Sequence, residues 1–108
     1  MLRVTALVLF TLLAPLAARA AEAAPACAKD LLAVQASFDE TAARLQAAQS
    51  ADHAGKCAAL HHHIDVMMSG RDVFLRCRPP GAERDADLAQ LATSIADFQT
   101  ILKRQKCP

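Results

Sequence analysis

The sequence predicts an all-α protein, a small up-down-up antiparallel three-helix bundle closed by two disulfides. Three observations lead there. Three segments carry apolar residues at alternating steps of three and four, the period of a helix with one buried face. Four cysteines, Cys27, Cys57, Cys77 and Cys107, stand near the ends of those segments. Turn formers are scarce, with three Gly and five Pro in 108 residues, and Trp and Tyr are absent. That argues against a β-sandwich or barrel, which needs many turns and favours aromatic and β-branched strands.

The N-terminal stretch is expected to lie outside the fold. Arg3 precedes an apolar run from Val4 to Ala18, broken only by Thr5, Thr11 and Pro15, and Ala18-Arg19-Ala20 follows. A positive start, a short apolar segment and a small-residue exit read as a secretory signal peptide, residues 1–20, cleaved from a single domain of residues 21–108. Ala21-Glu22-Ala23 offers a second cleavage point. The run is shorter than the roughly 20 apolar residues a membrane-spanning helix needs. Ala24-Pro25-Ala26-Cys27 is a poor lipidation site, because Ala24 stands where leucine is favoured and Cys27 lies well past the apolar run. Losing Arg3 and Arg19 changes the formal charge from +1 to −1. A nearly neutral domain gives no electrostatic reason to expect nucleic acid. The expected location is the periplasm or the exterior, with no stable membrane insertion after cleavage.

The first helix follows from Leu31, Val34, Phe38, Thr41, Leu45 and Ala48. The second follows from Cys57, Leu60, Ile64, Met67, Arg71 and Phe74, with Met68 and Leu75 widening the stripe. Asp52 is placed to cap it, and Pro79-Pro80 stops it. The third follows from Leu88, Leu91, Ile95, Phe98 and Leu102. Glu83 and Asp85 suit its first turn, while Lys103, Arg104 and Lys106 suit its far end. Ser69-Gly70 interrupts the second pattern, since glycine in a helix costs about 1 kcal/mol relative to alanine. The second helix is therefore expected to be long, with a kink or a break at Gly70 as the alternative.

An up-down-up path brings Cys27 and Cys77 to one end and Cys57 and Cys107 to the other. Pairing within each end gives two bridges, each spanning 50 positions. The other two connectivities would join opposite ends of helices roughly 30 Å long, beyond disulfide reach. Two disulfides are also the ordinary use of four cysteines in a small exported chain. A broken second helix would instead let Cys57 approach Cys77.

No catalytic constellation emerges, and the protein is expected not to be an enzyme. None of Ser37, Ser50, Ser69 and Ser94 has a recognisable nucleophile motif, and no Gly-rich loop cradles phosphate. The run His61-His62-His63 cannot converge on one ion while helical, because adjacent residues diverge by 100°. The i,i+4 pairs can: His61/Asp65 suits copper(II), zinc or nickel, and His63/Met67 suits copper(I). Both pairs need donors from elsewhere, and His53, more than two turns away from His63, is a poor third ligand within that helix. The ordinary role of these residues is flanking surface for the histidines and core filler for Met67 and Met68. Arg71, close to the buried stripe, is structural or binds a carboxylate.

The sector of the second helix opposite its stripe contains Ala59, His62, Val66 and Val73. Beside the first helix's Ala36, Ala43 and Ala47, it suggests a second face, for self-association or an envelope protein partner. The leading expectation is thus a non-catalytic cell-envelope protein acting through protein–protein interaction, with no cofactor. A transition-metal carrier or sensor for copper, zinc or nickel is the first alternative, and a small-molecule binder the second.

Overall fold

A computed structural model describes residues 25–108. The signal peptide expected at 1–20 lies outside the described residues. Three helices follow one another, α1 (Pro25–Ala48), α2 (His53–Cys77) and α3 (Ala82–Arg104). Together they form a compact all-α bundle with bridges Cys27–Cys77 and Cys57–Cys107, the pairing that helix length requires. The Cα separations are 5.2 and 5.5 Å, ordinary for a disulfide. No helix among the described residues is long and apolar enough to cross a membrane.

Local chemistry sets the helix ends. Asp52 caps α2, its Oδ1 accepting from the Gly55 N–H at 2.8 Å. Arg78, forced into an extended conformation ahead of Pro79, ends the same helix. Gly81, at φ 157° and ψ −179°, then turns the chain into α3 through backbone space that only glycine enters easily. Glu83 and Asp85 occupy the first turn of α3 and Lys103 and Arg104 the last, each sign facing the favoured end of the helix dipole. Beyond α3, Lys106 takes the left-handed conformation at φ 54°. Its N–H donates to Lys103 O, and the Cys107 N–H donates to Leu102 O at 3.0 Å. Those two bonds form a Schellman cap.

The core comprises Val34 from α1, Ile64, Met67 and Phe74 from α2, and Leu91 and Ile95 from α3, flanked by Leu31, Phe38, Leu88 and Phe98. The central helix is α2. Both α1 and α3 pack against it, whereas no Cα of α1 lies within 8 Å of one in α3. Having neighbours on two sides, α2 hides a wider sector than a single stripe would. Two expectations change for this reason. Met68 and Leu75 lie on the outer side and are exposed, together with His61, Asp65 and Asp72. Ala59, His62, Val66 and Val73, expected to face outward, are half-buried, and Val73 packs on the core.

Gly70 does not break α2, which runs unbroken from His53 to Cys77. It is buried and faces Phe38 of α1, where a Cβ would sit 2.5 Å from the ring Cζ and 2.8 Å from Cε1. Glycine here admits the ring, which meets Phe74 edge-on with centroids 6.2 Å apart. The lost helix propensity is the cost of that close approach. Gly70, not Arg71, supplies the buried position in this turn of the stripe, and Arg71 is half-buried beside it.

Candidate metal centre

One group of three His, Cys, Asp or Glu side chains converges among the described residues: His53, Cys57 and Cys107, with donor atoms all within 4.8 Å of one another. Each has a separate structural origin. His53 is the first residue of α2, positioned by the Asp52 cap, and its side chain is exposed. Cys57 stands one turn further on, buried at 4% exposure, and i,i+4 spacing puts both on one face. The His53 Nε2 lies 3.6 Å from Cys57 Sγ. Cys107 is half-buried and arrives from the far end of α3, its backbone held by the Schellman cap.

A tetrahedral zinc ion has Zn–S near 2.3 Å and Zn–N near 2.0–2.1 Å, which separates neighbouring N and S donors by about 3.5 Å. The His53–Cys57 distance already matches that span. The two sulfurs, bonded to each other as Cys57–Cys107, would have to separate from about 2.05 Å to about 3.8 Å, since thiolates and not disulfide sulfurs are the ligands. One imidazole and two thiolates form a set for zinc or copper(I). It lacks the oxygen donors that calcium and magnesium require.

The histidine run and its partners are placed differently. His61 is exposed, and its Nε2 lies 2.9 Å from Pro108 O. Asp65 is exposed on the same outer side of α2. His63 and Met67 line one cleft between α1 and α3, alongside Phe38 and Asp87. Met67 is a core residue at 4% exposure. The Nδ1 of His63 is 3.3 Å from the hydroxyl of Thr41, which is wholly buried, and its ring lies 4.4 Å from that of Phe98. His63 thus joins the side chains of α1 and α3 across the central helix. His62 and Val66 line a separate shallow hollow with Val34 and Gly70. No protein family, curated protein or solved structure matches the chain.

The arginines near the α2–α3 turn do not form a common anion site. Arg76 pairs with Asp30 at 3.3 Å and Arg78 with Asp87 at 3.4 Å, while Arg84 donates to Leu75 O. Arg78 also lies over the Phe74 ring, 4.5 Å from its centroid, a cation–π contact that favours a structural role. Arg71 makes no ion pair among the described residues.

Burial of His63 pulls its imidazole below the ordinary histidine value of 6.5, and the adjacent His62 acts in the same direction. A depressed value in the folded state means that the unfolded chain takes up the proton first. Above about pH 6.5 the effect vanishes; below it, stability falls until the folded-state value is passed. The urea midpoint should therefore drop between about pH 7.5 and pH 5.5. His63→Gln, which keeps a polar partner for Thr41, should reduce that drop. An equal drop in the variant would assign it to other groups.

The sequence carries one signal for this cluster, the i,i+4 spacing of His53 and Cys57. The expected disulfide use of Cys57 and the denser His61–His63 run mask it.

Proposed function

We propose that this protein is a small, exported, non-catalytic protein that binds a transition-metal ion, zinc or copper(I), at His53, Cys57 and Cys107. The convergence of three donors from the first turn of α2, the next turn and the tail beyond α3 carries the reading. Their distances support it, because one N···S separation is already that of a tetrahedral ion. An exported location agrees with the signal-like sequence at the N-terminus. The protein–protein reading has less support, since Ala59, His62, Val66 and Val73 are half-buried against neighbouring helices.

Cobalt(II) titration of the dithiol form tests the proposal. The expected result is one ion per chain with the visible absorption of tetrahedral thiolate ligation, displaced by zinc. His53→Ala removes an exposed side chain and leaves the core untouched. Losing even an outer partner of a ligand costs about 10- to 100-fold in affinity, so losing this ligand should cost at least about tenfold. Binding that survives His53→Ala and disappears with His61→Ala would move the site to the outer side of α2.

A further inference from the structure

We infer that the metal ion and the Cys57–Cys107 disulfide are alternative occupants of one site, so that oxidation releases the ion and reduction readmits it. The inference rests on the metal-binding reading above and adds its regulation. Two of the three donors are the two sulfurs of that bridge. A sulfur bonded to sulfur has no thiolate charge to offer, so the two states exclude each other.

Exchange between the states requires that opening the bridge leaves the site assembled. Ordinarily a long-range disulfide, once cut, frees its distal end. Here the distal end has other ties. The Cys107 N–H donates to Leu102 O and the Lys106 N–H to Lys103 O, so a backbone motif orients the residue independently of its sulfur. One residue further, Pro108 O lies 2.9 Å from the Nε2 of His61 on α2. Cys57 is fixed inside α2, and Cys27–Cys77 closes the opposite end of the bundle. The sulfurs need move apart by only about 1.7 Å to span a tetrahedral ion. Cys107, half-buried and outside any helix, is the residue free to make that movement.

The chemistry closes with an external dithiol as reductant. One thiolate of the dithiol attacks the more accessible Cys107 sulfur, the Cys57–Cys107 bond breaks, and Cys57 leaves as the thiolate beside His53. The second thiol of the reductant then displaces Cys107, leaving the reductant as a cyclic disulfide. Two electrons have passed to the protein. A divalent ion binding the two sulfurs displaces the protons that remain on them. In reverse, a small-molecule disulfide takes two electrons from the two protein thiolates and leaves as two thiolates, which take protons from water, and the ion leaves as the bridge closes.

The test uses the full-length mature chain reduced at Cys57–Cys107 with Cys27–Cys77 kept intact, loaded with zinc, freed of reductant, and treated with oxidised glutathione. A chromogenic chelator follows released zinc, while alkylation and peptide mapping follow each bridge. The expected result is release of one zinc for each Cys57–Cys107 bridge formed, at the same rate. Zinc retained after that bridge has closed would overturn the inference and leave metal binding standing. Failure of the reduced chain to bind cobalt or zinc at all would overturn the metal-binding reading itself. His53→Ala, which retains all four cysteines, should close the bridge with at least tenfold less zinc released at limiting metal. Unchanged release from that variant would show that His53 does not hold the ion and would overturn the three-donor reading on which the inference rests.

Discussion

Replacing Cys27 and Cys77 together with alanine should lower unfolding stability by about 4 kcal/mol, the loop-closure term for a bridge of this span. The bridge ties residues 50 positions apart and closes the end where α1 begins and α2 stops. Domains of this size have only about 5–15 kcal/mol in total. A loss of that size is a large fraction of the total. Removing Cys57 and Cys107 opens a loop of the same span, so the chain-entropy argument predicts nearly the same loss for the oxidised protein. Urea midpoints of the two variants measure both effects. A loss below about 1 kcal/mol in either would show that the helices hold that end without a covalent link.

Gly70→Ala should also destabilise the protein, although alanine is the better helix former by about 1 kcal/mol. The new methyl would meet the Phe38 ring at 2.5 Å and Val34 Cγ1 at 3.4 Å. The ring has to shift, and that shift disturbs its edge contact with Phe74. Overpacking of this kind costs about 1–3 kcal/mol, so after the propensity gain of about 1 kcal/mol the net loss should be up to about 2 kcal/mol for alanine and larger for Gly70→Val. A domain of this size loses roughly 4–8 °C of melting temperature per kcal/mol. In a Phe38→Leu background the clash is removed, and Gly70→Ala should become neutral or stabilising. A higher melting temperature for Gly70→Ala in the wild-type background would refute the close-approach account.

The disulfide pairing was legible because helix length and cysteine position constrain each other. A rise of 1.5 Å per residue puts Cys57 and Cys77 at opposite ends of one helix, provided the helix is continuous. Continuity is the condition that the sequence does not fix. Ser69-Gly70 reads locally as a kink, and only the Phe38 ring packed against Gly70 explains glycine at that position without a break. The strip of α2 at Ala59, His62, Val66 and Val73 is less exposed than the sequence suggests for a related reason. A helical wheel assigns one buried face, whereas the central helix of three has neighbours on two sides. The candidate site was legible only in part. The spacing of His53 and Cys57 is visible in the sequence, but the approach of Cys107 depends on how α3 ends, through Lys106 in a left-handed conformation.

By itself, the sequence determined the helical class, three elements and their turns, the Asp52 cap and the two bridges. All of these follow from periodicity, propensity and reach along a single chain. Only the tertiary structure decided that α2 is central, that Gly70 accommodates Phe38, and that His63 joins Thr41 to Phe98. It also set the His53 side chain, so that its imidazole lies within 4.8 Å of both sulfurs of the Cys57–Cys107 bridge. Those facts depend on side chains up to 57 positions apart, and periodicity states which face of a helix is apolar without stating what lies against it.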